Sequence, residues 1–164
     1  MIEESKTDTV LPFPKKAAPA TSSSEKIWGK TIMRHGYTAV PSILIRAQSR
    51  LGINTTQMNI ILQLLDYWID PARKPFPTKK DIANRIGVTD KTVQLNIREL
   101  EQAGLITRQM RKTAAGDWNS NIYHLDQLIE RVKKLEPEFQ KEREEREWAR
   151  KNLETPVYRR KAKP

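Results

Sequence analysis

Apolar positions along the chain fall into runs of different period, and the breaks between them carry most of the information. Pro41 suits the first turn of a helix that continues through Arg50 and ends at Gly52. From Thr55 to Ile69 the residues Met58, Ile61, Leu62, Leu65, Trp68 and Ile69 recur at helical spacing, with Thr55 or Thr56 as the expected cap. Ile60, Leu64 and Tyr67 form a second stripe, so this helix should be buried on most sides and form the centre of the core. Pro71, Pro75 and Pro77 then exclude a helix interior. Thr78 is placed to cap a short helix with Ile82, Ala83 and Ile86 facing inward, and Gly87 to end it in the left-handed conformation. Only Val88 separates Gly87 from Thr89, the cap of a further helix that reaches about Ala103 and stops at Gly104.

Two helices joined by so tight a glycine turn must cross steeply, which is helix-turn-helix geometry. Beyond Gly104 the period changes to two. Residues Leu105 to Lys112 and Trp118 to Leu125 read as paired strands, with Gly116-Asp117 at the turn, and a hairpin in that place is a wing. Leu125, Leu128, Val132, Leu135 and Phe139 continue at 3-4 spacing into a last helix, which Pro137 is expected to kink or restart. The pattern predicts a mainly α fold with a small β-hairpin, a winged helix-turn-helix extended by a C-terminal helix. It divides the chain into a disordered arm (1–26), the winged domain (27–125), a charged helix (126–151) and a basic tail (152–164).

Composition narrows the function. Only 37% of the 164 residues are hydrophobic and the mean hydropathy is −0.71, which predicts a core of roughly 100 residues with polar flanks. The absence of cysteine excludes disulfides, thiolate metal sites and cysteine nucleophiles. No apolar run approaches the ~20 residues of a membrane span. The N-terminus lacks a signal-peptide pattern, so the expectation is a cytoplasmic, nucleoid-associated protein without a membrane partner. The net charge is +10 and the pI about 9.9, the range of nucleic-acid-binding chains. Residues 31–125 hold thirteen bases against seven acids, so the excess lies on the segment that looks folded.

The ordered set QMNIILQLLDYW, PFPT, DIANRIGVT and TVQLNIRELEQAGLI resembles the winged helix-turn-helix family of DNA-binding domains. In particular it is similar to the small helix-turn-helix domain proteins of bacteria, phages, plasmids and mobile elements. The resemblance covers roughly residues 38–125. It implies binding of double-stranded DNA, with the second helix of the motif in the major groove and the wing beside it. Many relatives carry arginine or another polar residue where this chain has Leu95, which sets its specificity pattern apart.

Helix geometry selects candidate residues independently. Val93, Ile97 and Leu100 lie within about 60° of one another at 100° per residue and should face the core. The outward side of the helix 90–103 then offers Lys91, Thr92, Gln94, Leu95 and Arg98 for base readout. Gln94 suits an adenine edge, Arg98 a guanine or a phosphate, and Leu95 a thymine methyl. Thr78, Lys79, Lys80 and Thr89 sit at helix starts whose amides favour an anion. Arg108, Arg111, Lys112, Thr113, Asn119 and Asn121 line the hairpin, and all ten are expected on the DNA backbone.

His35 and His124 lie on opposite flanks of the motif and read as strand or core residues, not as a base or ligand, and no phosphate-cradling loop or zinc pattern is present. No enzyme, metal or cofactor is expected. The 3-4 stripe from Leu125 to Phe139 also has the spacing of a helix–helix seam, so two readings stand: a homodimer through the C-terminal helix, or a helix packed on its own domain. Three roles fit: a transcriptional regulator, a plasmid or phage replication initiator or primosome-like factor, and an adaptor whose winged domain binds protein. Lys91 and Arg98 on the outward face argue against the adaptor. The lack of room for a second large domain favours the regulator.

Overall fold

Capping side chains set the helix boundaries, and each boundary places part of the candidate site. The structure is a computed structural model describing residues 22–112 and 120–159, and the chain divides into two compact units at Tyr37/Thr38. In the first unit, the Ser22 hydroxyl accepts from the Glu25 amide (3.1 Å) and starts α1 (Ser23–Trp28). Gly29, at φ +79°, separates it from the single turn α2 (Lys30–Met33). The helix thus begins five residues before Trp28, inside the segment expected to be an arm.

The second unit opens with α3 (Ser42–Arg46), shorter than the helix expected through Arg50 and followed by turns that carry the chain to Gly52. The central helix α4 (Thr55–Tyr67) is capped by Asn54, not by Thr55 or Thr56. Asn54 accepts from the Gln57 amide (2.8 Å), and the Gln57 side chain returns an acceptor to the Asn54 amide (3.0 Å). This reciprocal box satisfies two helix-end donors that a threonine one residue later would leave open. At its other end α4 stops before Trp68, which leaves helical angles ahead of Pro71. Ile69, assigned to the buried stripe by spacing, is therefore outside the helix and 91% exposed.

Helix α5 (Lys79–Ile86) starts at a second capping box, Thr78 with Asp81, and ends at Gly87 with φ +71° and ψ +36°. Nothing lies within 4 Å of where a Cβ would project from Gly87, so backbone conformation and not space demands glycine there. Thr89 caps α6 (Asp90–Gln102) through the Thr92 amide (3.1 Å). Two short antiparallel strands follow, β1 (Thr107–Gln109) and β2 (Ile122–His124), paired as Thr107 with His124, Arg108 with Tyr123 and Gln109 with Ile122. The expected turn at Gly116-Asp117 lies outside the described residues. A feature without a periodic signal joins this sheet: the Tyr123 amide donates to the Pro75 carbonyl (2.9 Å), so the proline-rich segment runs beside β2. Pro75 and Pro77 are both buried.

Helix α7 (Asp126–Glu154) is one continuous element of 29 residues, without the restart expected at Pro137 and three residues longer than the sequence suggested. Pro137 is exposed, so the carbonyl it leaves without an amide partner can be met by water. No helix among the described residues is long and apolar enough to cross a membrane. The elements of the second unit form a winged helix-turn-helix with a long terminal helix. Its core joins Ile60, Ile61 and Leu64 of α4 to Ile82 and Ala83 of α5 and to Val93, Ile97 and Leu100 of α6. Leu105, Ile106, Tyr123, Leu125 and Leu128 close it from the sheet and α7. Each large aliphatic side chain so buried contributes about 1.5–3 kcal/mol.

Two consequences are measurable. Ile97 is fully buried and Leu95 is 54% exposed on the same helix. Ile97→Ala should destabilise by about 2–5 kcal/mol and Leu95→Ala by less than about 0.5 in urea denaturation. Asp66, at the end of α4, accepts from the Thr38 hydroxyl and from Arg85 (2.8 Å), and both hold its carboxyl below the ordinary range. Because the folded pKa is depressed, this contribution is present above the unfolded value of about 4 and is lost as pH falls through the folded value. Asp66→Asn should lower stability at neutral pH and flatten the acid limb of a stability–pH curve.

Candidate nucleic-acid interface

The Gly87 turn joins α5 to α6, and Lys79 at the start of α5 reaches Gln94 in the second turn of α6. Val93, Ile97 and Leu100 are buried, as their spacing predicts, so Lys91, Leu95 and Arg98 project outward and are exposed. Gln94 is half-buried, because its side-chain oxygen accepts a hydrogen bond from Nζ of Lys79 across the crossing (3.2 Å). Lys79, expected on a phosphate, is thus engaged with a candidate base reader. The hydroxyl of Thr92 lies 2.9 Å from that of Thr89, so Thr92 is turned toward the cap of its own helix.

At the start of α5, Lys80 is exposed and the Thr78 hydroxyl accepts from the Asp81 amide (3.0 Å). Asp81 also lies 2.6 Å from that hydroxyl, and its hydrogen bonds to Thr78 hold its carboxyl below the usual range. A carboxylate in the first turn already offsets part of the positive field there, so Lys80 supplies the mobile positive charge. Thr89 is exposed at the start of α6.

The hairpin departs further from expectation. Arg108 makes a bidentate pair with Glu101 of α6, at 2.7 and 2.6 Å, with both side chains about a quarter exposed. That geometry fixes β1 to α6 and gives Arg108 a partner other than phosphate. The Arg111 guanidinium lies 4.9 Å from the Phe76 ring centre, as does that of Arg73, and Nε of Arg111 is buried without a hydrogen-bond partner. Asn121 is half-buried and hydrogen-bonds Tyr123, whose hydroxyl pKa is pushed up by burial. Lys112 is exposed, three residues beyond β1. Thr113, Asn119 and Trp118 lie outside the described residues.

A polar seam escaped the reading from spacing. Asn96, only 8% exposed, donates to the Thr92 carbonyl (2.9 Å) and accepts from the Asn54 side chain (3.2 Å). One turn along, Gln57 donates to Glu99 (2.8 Å). The start of α4 therefore grips α6 through paired polar side chains. The available signal was an asparagine between Val93 and Ile97, on the arc that should be apolar. Near the hairpin, His124 lies 3.4 Å from Gln109 and 3.8 Å from Asp126, while His35 is exposed in the other unit. No group of three acidic or histidine side chains among the described residues could hold a metal ion.

Part of the stripe from Leu125 to Phe139 is used within the domain. Leu125 and Leu128 are core residues, and Val132, Leu135 and Phe139 are half-buried. Arg50 lies over the Phe139 ring (5.3 Å) and pairs with Glu138.

Residues 51–106, from the turn before α4 to the end of the recognition-helix exit, match the family model described as "Helix-turn-helix domain". Over those residues the chain is similar to that family. Helices of this motif dock in the DNA major groove, so duplex DNA is the class of partner this domain points to. No curated protein matches the chain. Among solved structures, it is similar to the N-terminal domain of DnaD protein from Geobacillus kaustophilus HTA426. The TM-score is 0.52 and the identity 21%, over 70% of this chain and 93% of that one. A protein from Methanosarcina mazei Go1, described as a possible transcriptional regulator, has a TM-score of 0.41 and 17% identity. That match covers 62% of this chain and 83% of the other. At its identity the first similarity establishes a shared fold.

If Arg108 braces the helix-turn-helix domain, Arg108→Ala and Glu101→Ala should be non-additive. A double-mutant cycle in urea should give a coupling of about 0.5–1 kcal/mol, the range for a partly exposed pair. Strict additivity would return Arg108 to the phosphate-contacting set.

Proposed function

We propose that the protein is a sequence-specific double-stranded DNA-binding regulator of transcription that reads the major groove with α6. The observation that carries this reading is the outward face of that helix. Lys91, Gln94, Leu95 and Arg98 project from its first two and a half turns with two positive charges among them. The core residues behind them fix their direction, so these side chains can meet base edges without any repacking.

Phosphate contacts come from Lys80, Thr78 and Thr89 at the helix starts and from Lys112 at the hairpin. Arg98 and Gln94 read bases, and Leu95 offers an apolar surface to a thymine methyl. One such helix reads only a few base pairs, so two copies on an inverted repeat would supply the discrimination a genome requires. Light scattering with and without DNA counts those copies.

Fluorescence anisotropy with duplex DNA tests the reading. The logarithm of affinity should fall linearly with the logarithm of salt, at a slope of about −0.9 per neutralised phosphate. Arg98→Ala should cost about 1–3 kcal/mol on a selected site and less on random duplex, narrowing discrimination. Lys80→Ala should weaken both equally and reduce the slope by about one. A flat salt response would remove DNA as the partner. Genome-wide mapping of bound sites then assigns the role: single sites upstream of promoters support a regulator, whereas an iterated cluster at a replication origin transfers the protein to initiation.

A further inference from the structure

The contact between Lys79 and Gln94 changes what the recognition helix can read. An unengaged glutamine offers one acceptor and one donor group side by side, which matches the adenine edge, where N6 donates and N7 accepts. Gln94 is not unengaged. Its oxygen lies 3.2 Å from Nζ of Lys79, fifteen residues earlier and on the other helix of the motif. An ammonium has donors and no acceptor, so only the amide oxygen can face it, and the NH2 group must point away. Both side chains are half-buried, which limits the alternatives open to each. The core holds their backbones at this separation: Ala83 of α5 and Val93 of α6 are both buried at the crossing.

We propose that Lys79 and Gln94 act together as a donor-only reader that selects guanine in the major groove, with Lys79 as the residue that positions the Gln94 amide. Guanine presents two acceptors there, N7 and O6, and no donor. The outward NH2 of Gln94 matches that edge, and Lys79 has two further N–H groups to share. Adenine would place its own N6 donor against the outward NH2 of an amide whose oxygen is turned toward Lys79. The assignment replaces the adenine pairing that the glutamine by itself suggests. It rests on the proposal that α6 reads DNA, and it adds which base the Gln94 position favours and why.

Selection of binding sites from a randomised duplex pool tests it, using the full-length protein and its Lys79→Met, Lys79→Arg and Gln94→Ala variants. Circular dichroism and a urea melt establish that each is folded. The wild type should enrich guanine at one position whose preference disappears in Gln94→Ala. Lys79→Met frees the amide oxygen and should shift that position toward adenine, changing the adenine-to-guanine ratio by about tenfold. Lys79→Arg keeps a donor at the amide oxygen and should retain guanine. Guanine retained in Lys79→Met, or adenine already preferred by the wild type, overturns the proposal while leaving DNA reading intact. If the folded wild type enriches no sequence, both this proposal and the sequence-specific reading fail. A merely structural role for Lys79 would lower affinity on all sequences without changing the preferred base, and that result also overturns it.

Discussion

Everything at the candidate interface depends on the tight turn that makes α5 and α6 cross. Gly87 enters the left-handed region and its amide bonds the Ala83 carbonyl, with the Val88 amide reaching the same oxygen. Thr89 then caps the next helix after a single intervening residue. The small side chain of Ala83, 1% exposed, lets the two helices approach, and Ile82, Val93 and Ile97 fill the space behind them. Only because this wedge is buried and closely packed are the outer residues of α6 held in one direction. The same crossing brings Lys79 within reach of Gln94.

Around that wedge α6 is held from three directions by different chemistry. Apolar packing fixes its inner face. The Asn54–Asn96 and Gln57–Glu99 contacts tie it to the start of α4, and the Arg108–Glu101 pair ties it to β1. Apolar contacts are non-directional and allow a helix to slide or rotate by small amounts, whereas hydrogen bonds with fixed donors and acceptors penalise such shifts. The polar seam thus contributes orientation more than stability. Its cost is low because each buried polar side chain in it has a partner.

The C-terminal helix shows how one sequence pattern can serve two ends. A 3-4 stripe states that a helix has an apolar face, but not whether that face meets another copy or its own domain. Here Leu125 and Leu128 complete the core, and Phe139 packs under Arg50 near α3. Beyond Phe139 the helix continues on charge pairs such as Arg143–Glu147 and Arg146–Glu142, each four residues apart. Such pairs sustain a solvated helix without a hydrophobic partner.

What the sequence determined by itself was local. The caps at Thr78 and Thr89, the glycines at positions 87 and 104, and the buried face of α6 follow from spacing and backbone preference, because each depends on residues no more than about one turn apart. Those rules also name which side of α6 faces outward. They do not say what a polar side chain meets across the fold. Arg108 and Lys79 read identically in sequence, as basic residues near a DNA-facing element. Tertiary structure gives one to Glu101 and the other to Gln94. Asn54 became a cap and a partner for Asn96 for the same reason. A hydrogen bond between residues 42 apart depends on how the helices pack, and no local pattern encodes it.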